Sequence, residues 1–253
     1  RWCEILSSFI KNVCDYMWNT WEYKAILVYL FMGIFFITCQ FSGLNYEQML
    51  ISSFTNKIFL VVILYPSFVA MFYLAYQYIN KNYSLLLRMS SRKKYVSISV
   101  VTMLVMAMLL FIQIIIMLLI CCNIITHSDF KITNELNYNV NDFIIFIIET
   151  IKIFGTVVII GLLTLLLQIS FKKQGVVAIF LIALLTLIFF GDRMYPTGII
   201  ILDIFNPGFQ SHGYTLTNSL WILIGYGLIY FSLVISLLYF GVRKKIKKVD
   251  IGI

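Results

Sequence analysis

Charge is scarce in this chain. Asp, Glu, Lys and Arg supply 12% of its 253 residues, while 61% are hydrophobic. A soluble domain averages about 25% charged and about 45–50% apolar residues, so a water-facing shell of ordinary polarity cannot be assembled from this composition. The chemistry of sites is equally thin. The two histidines, His127 and His212, are far apart, and no HExxH pair exists for zinc. No GxxxxGK[ST] phosphate cradle is present, so ATP hydrolysis by the usual loop is not expected of this chain. Cys3, Cys14, Cys39, Cys121 and Cys122 show no spacing suited to a disulfide framework or a metal and read as small apolar fillers. The nearest approaches to a catalytic arrangement are Asp192 after Gly191 and Ser211 beside His212, pairings that chance supplies. No catalytic residue, metal or cofactor is expected in the chain itself.

What the sequence has is long apolar runs. Stretches near the roughly 20 residues needed to cross a bilayer core occupy 25–43, 59–79, 96–122, 143–171, 176–190 and 220–242. They are too long and too uniformly apolar for the alternating strands of a barrel, and in hydrocarbon a helix satisfies its own backbone hydrogen bonds. The expected fold class is therefore an all-α integral membrane domain of six transmembrane helices spanning 25–242. The first run follows an amphipathic segment and lacks a small-residue cleavage site, so it is expected to remain in the mature chain rather than be removed as a signal peptide.

Lys and Arg near span ends are retained on the cytoplasmic side. With the N-terminus inside, fifteen of the nineteen basic residues fall on inner segments, and four, Lys57, Lys131, Lys152 and Arg193, fall outside. Both termini are accordingly expected in the cytoplasm, with 243–253 as a basic tail. The net charge of +8 is spread over four short segments instead of one face with stacking aromatics, which excludes a nucleic-acid surface and points to anionic lipid headgroups.

Within residues 1–24, Trp2, Ile5, Leu6, Phe9, Val13, Tyr16, Met17 and Trp21 recur at helical spacing opposite Glu4, Ser7, Lys11, Asp15 and Asn19. This predicts an amphipathic helix on the inner membrane surface, with Trp18 among its interface residues. Its role is either a passive anchor or a polar face for a cytoplasmic partner. Residues 80–95 form a basic inner loop in which Leu85, Leu86 and Met89 make an apolar knob ahead of Arg92, Lys93 and Lys94; the segment is either purely topogenic or a docking helix. Glu149 and Lys152 lie three apart, as neighbours on one helix face, and form either a structural pair or part of a pathway wall. Between the fifth and sixth runs, 191–219 alternates breakers with apolar stubs. The segment reads either as short re-entrant helices, with Asp192, Arg193 and Asp203 at their polar ends, or as an irregular outer loop with one amphipathic turn. Gly155, Gly161, Gly225, Gly227 and Gly241 leave room for close helix contacts, although none is spaced as GxxxG.

This order of elements resembles the membrane subunit of type-two ATP-binding cassette exporters, particularly small permeases of Firmicute bacteria. Residues 87–95, from Leu87 through Arg88, Met89, two serines, Arg92 and a lysine pair to Tyr95, look like the inner-loop pattern of those permeases. Asn206-Pro207-Gly208 is similar to their asparagine-proline turn. A departure is that Met89-Ser-Ser-Arg92 lacks the glycine often seen there. The resemblance implies a multi-pass protein of the bacterial plasma membrane, paired with a second permease subunit, a homodimer in preference to a heterodimer. It also implies docking on a cytoplasmic ABC ATPase dimer that binds ATP and Mg. Tyr83, Leu85, Leu86, Arg88, Met89 and Arg92 would then belong to the ATPase-coupling segment, and the amphipathic helix would brace the ATPase. The cargo would be a bacteriocin- or lantibiotic-like peptide or another amphipathic molecule. The alternative is a non-transporting scaffold or sensor that holds a cytoplasmic partner at the membrane.

Overall fold

The structure is a computed structural model that describes residues 2–56, 58–81, 92–126, 142–170 and 220–248. These residues are all-helical. The elements are α1 (Trp2–Asn19), α2 (Trp21–Gln40), α3 (Tyr46–Phe54), a π-helical segment (Phe59–Leu64) that runs into α4 (Tyr65–Lys81), α5 (Arg92–Thr126), α6 (Asp142–Ser170) and α7 (Leu220–Lys248). The expected fifth span at 176–190, the re-entrant segment 191–219 and the loop 82–91 lie outside the described residues.

Among the described residues four helical stretches are long and apolar enough to cross a membrane: Trp21–Gln40, Phe59–Ile79, Ser97–Thr126 and Ile153–Ser170. They overlap the first four of the six expected spans, and Phe59–Ile79 matches the second at both ends. α7 begins with the sixth span at Leu220 but runs on as helix through the basic stretch to Lys248. α5 is the longest element at 35 residues, or about 52 Å at a rise of 1.5 Å per residue. That exceeds the roughly 30 Å hydrocarbon layer, so a helix starting at Arg92 extends well past an apolar slab.

A single residue separates α1 from α2. Thr20 is extended, with φ −81° and ψ 139°, and its hydroxyl donates to the Met17 carbonyl at 2.8 Å, so the chain turns without a loop. At the other end of α2 a short turn leads into α3. The side chain of Asn56 then starts the next helix: its Oδ1 accepts from the Ile58 and Phe59 N–H groups at 2.9 and 3.1 Å. These are donors that a helix start otherwise leaves unpaired.

The core is a stack of aromatic and aliphatic side chains shared by α3 to α6. Phe111 of α5 lies 6.0 Å from Phe54, 6.4 Å from Phe68 and 5.3 Å from Phe154, measured between ring centroids. Phe54 also meets Phe146 at 5.6 Å. Tilted and edge-on pairs at these separations are the favoured aromatic geometry. Glycines allow the closest approaches. A Cβ on Gly33 would fall 2.6 Å from Ile63 Cδ1, on Gly161 2.7 Å from Met103 Sδ, and on Gly241 2.9 Å from Leu166 Cδ1. Gly161 and Gly241 thus supply the close helix contacts expected of them, joining α6 to α4 and α5, and α7 to α6.

The outside of the bundle is apolar as well. Met108, Ile112, Ile116, Ile120 and Ile124 form an exposed row along α5; Val28, Met32 and Phe36 form one on α2, and Ile229, Leu233 and Leu237 one on α7. Four-residue spacing keeps each row on one helix face. Contiguous apolar surface on this scale is not left against water.

Candidate functional site

The described residues gather polar and basic chemistry at one end of the bundle. α1 packs against α4 and α5, and its own periodicity determines how. Phe9, Val13 and Met17 are fully buried, and the rings of Phe9 and Tyr16 both meet Tyr78, at 6.2 and 4.6 Å. Lys11, Asn12, Asp15 and Asn19 face outward. Tyr78 lies near the C-terminal end of α4, so the end of α4 that leads into segment 82–91 packs on the helix whose polar face is presented. α7 continues through Arg243, Lys244 and Lys245, half-buried or exposed.

The expected interface residues divide into two groups. Phe9 and Val13 point into the bundle, covered by protein. Trp18 and Trp21 are 60% and 78% exposed. The break at Thr20 explains the split: Trp21 opens α2, so it does not continue the apolar stripe of α1. The rings of Trp18 and Tyr23 lie 6.3 Å apart across that break. Trp2 lies in α1, with its side chain outside the described residues. Burial pushes the half-buried Cys14 thiol above its ordinary range, and the neighbouring Asp15 charge adds to the shift.

Of the expected coupling residues, Tyr83, Leu85, Leu86, Arg88 and Met89 lie outside the described residues. Arg92 is the first residue of α5, its side chain likewise outside them. Glu149 and Lys152 fall within α6, three residues apart on one face, and their side chains are outside the described residues; so are Asp192, Arg193 and Asp203. Among the described residues no group of three or more His, Cys, Asp or Glu side chains could hold a metal ion.

One further polar contact crosses the bundle. Tyr23 donates from its hydroxyl to Gln113 Oε1 at 2.8 Å, tying α2 to the middle of α5. The signal was available, because Gln113 is the one amide in the apolar run from Met103 to Cys122, and a polar side chain in such a run needs a partner.

No family model, curated protein or solved structure matches the chain. Its class therefore rests on its own residues, as an all-helical chain with four helices long and apolar enough to span a membrane.

Proposed function

We propose that this chain is the membrane-embedded permease subunit of an ATP-driven exporter in a bacterial plasma membrane, with its basic end in the cytoplasm and ATP hydrolysis carried by a separate subunit. The observation that carries the reading is the convergence at one end. α1 presents its polar face where it packs on the last turn of α4 at Tyr78, and the chain that joins α4 to α5 carries Leu85, Leu86 and Met89 ahead of a cationic cluster. A cytoplasmic partner pressing there acts on two spans and on the helix packed against both. The exposed apolar rows of α2, α5 and α7 support lipid, or a second copy of the chain, as the surroundings of the rest.

In this mechanism, nucleotide-driven closure of the partner subunits moves segment 82–91, and α4 and α5 shift as a unit because the Phe68–Phe111 contact locks them together. Two packings of the bundle then alternate, open to opposite sides. An apolar, aromatic wall suits an amphipathic peptide or lipid cargo.

The test is to replace Leu85, Leu86 and Met89 together by Asp and to isolate the chain from its native membrane. Loss of the co-purifying ATPase, with insertion into the membrane intact, is the expected result. An unchanged complex with unchanged stimulation of ATP hydrolysis would overturn the docking role. ATP-dependent movement of a labelled amphipathic peptide in vesicles separates a transporter from a static scaffold, which would show none.

A further inference from the structure

We infer that Ser99, Thr102 and Gln168 form a binding site for one buried water molecule at the seam of α4, α5 and α6. The three side chains line a small cavity whose other walls include Phe72, Tyr76, Ile79, Met103 and Leu165, with a volume of about 20 Å³. Ser99 and Thr102 lie one turn apart on the same face of α5, and Gln168 approaches from α6. They are 2%, 1% and 9% exposed. Ser99 Oγ, Thr102 Oγ1 and Gln168 Nε2 have no hydrogen-bond partner.

Most helix hydroxyls that form a hydrogen bond among the described residues are arranged differently, although Ser53 Oγ in α3 is also buried without a partner. Thr38, Ser67, Thr126, Thr150, Thr164 and Ser170 each donate to the carbonyl four residues back, at 2.6 to 2.8 Å. That bond is the usual refuge of a hydroxyl in an apolar helix. Ser99 and Thr102 forgo it and line the cavity unpaired. Three unpaired buried polar atoms around one void identify a missing partner, since buried polar groups are paired in native proteins.

Size and chemistry select that partner. A void of this size holds about one water, which needs roughly 10–15 Å³; an organic cargo needs some hundreds. A bare cation is excluded by the Gln168 N–H, which requires a lone pair, and by the absence of a carboxylate among the lining residues. A water accepts from Gln168 Nε2 and from one hydroxyl and donates to the other, satisfying all three. Ile79 and Ser99 place the cavity toward the end where α4 stops and α5 starts.

X-ray radiolytic footprinting of the detergent-solubilised full chain tests this, because hydroxyl radicals formed from a trapped water oxidise the side chains beside it. Met103 borders the cavity, whereas Met49 and Met71 are buried away from it. Met103 is expected to oxidise faster than Met71, because it borders the ordered internal water from which the radicals form. In S99A/T102V/Q168L its rate should fall to that of Met71. If the triple variant does not fold, Gln168→Leu alone must already slow Met103. Equal rates for Met103 and Met71 in the unaltered chain would overturn the site, as would fast Met103 oxidation that survives loss of the three polar groups.

Discussion

The Tyr29 hydroxyl donates to the Val62 carbonyl at 3.0 Å, across the interface between α2 and the π-helical segment. Four residues beyond Val62 stands Pro66, which has no N–H to return to that carbonyl. The backbone widens at the same place: the Tyr65 N–H reaches back five residues to Leu60. A proline, a π-helical segment and a tyrosine from the neighbouring helix thus form one unit, in which a side chain replaces a backbone donor. In an apolar surround such a carbonyl must be supplied from somewhere.

Tyr29→Phe should therefore destabilise the chain by about 0.5–1 kcal/mol, the range of a single hydrogen bond between helices in a membrane protein. Denaturant unfolding in detergent measures it. In a Pro66→Ala background, where an N–H is again available to Val62, the same change should cost less. Equal costs in both backgrounds would mean that proline and tyrosine are not coupled.

The three tight glycines should respond differently to alanine. At Gly33 the added carbon meets Ile63 Cδ1 at 2.6 Å and Cγ2 at 2.8 Å, and a β-branched side chain has little rotameric freedom to move away. At Gly161 it meets Met103 Sδ, which can move, and Phe72 Cε2 at 2.9 Å, in a ring fixed by packing. Gly241 meets only the tip of Leu166. Gly33→Ala and Gly161→Ala should each cost about 1–3 kcal/mol by overpacking. Gly241→Ala should be near neutral, since helix propensity gains about 1 kcal/mol in return. Melting temperatures of the three variants rank them.

The same residues show what sequence could and could not disclose. Apolar runs locate helices well: 59–79 matches the second span, and 143–171 lies within a residue of α6 at either end. Run boundaries are blurred where polarity and helicity part company. α2 starts at Trp21 instead of residue 25 because Glu22 and Lys24 are polar but continue the helix, and α7 continues as helix into Arg243 and Lys244 for the same reason. α3 was silent, since nine residues containing Glu47, Gln48 and two serines do not read as apolar; yet its Met49 and Phe54 are fully buried. The π-helical segment has no hydropathy signature at all. The amphipathic stripe of α1 was legible, but not its partner: periodicity marks Phe9 and Val13 as a face and does not say whether protein or lipid covers it.

Cysteine chemistry provides a reading of orientation. Cys39 is exposed near the C-terminal end of α2, whereas Cys121 and Cys122 are buried. With the basic end in the cytoplasm, a membrane-impermeant maleimide added to intact cells should label Cys39 and spare Cys121 and Cys122; labelling only after the membrane is opened would reverse the orientation. Cys14, at the opposite end, should react slowly at neutral pH, because burial and then Asp15 raise its thiol above the ordinary value and the thiolate is the reactive form. Its rate should climb as pH passes above the usual thiol range, and Asp15→Asn should increase it at fixed pH. The stability linked to this raised value is present below the unfolded thiol's pKa and lost as pH rises through the folded one.

The strongest separation of roles is expected within α1. Val13 is fully buried between α1 and the bundle, so Val13→Asp places a carboxylate where no partner is available and should cost several kcal/mol, enough to scatter the chain into aggregates on size-exclusion chromatography. Phe9→Ala, which removes a ring lying 6.2 Å from Tyr78, should cost about 3 kcal/mol or more. Trp18→Ala and Trp21→Ala remove side chains that touch little protein, and each should leave the unfolding midpoint within about 0.5 kcal/mol of the unaltered chain. Their loss should instead weaken attachment at the membrane surface, where an indole satisfies both its ring and its N–H; with quenchers placed at known depths in a bilayer, Trp18 and Trp21 fluorescence should be quenched from the headgroup level. If Val13→Asp proves harmless and Trp18→Ala unfolds the chain, α1 is turned the other way, with its apolar side away from the bundle.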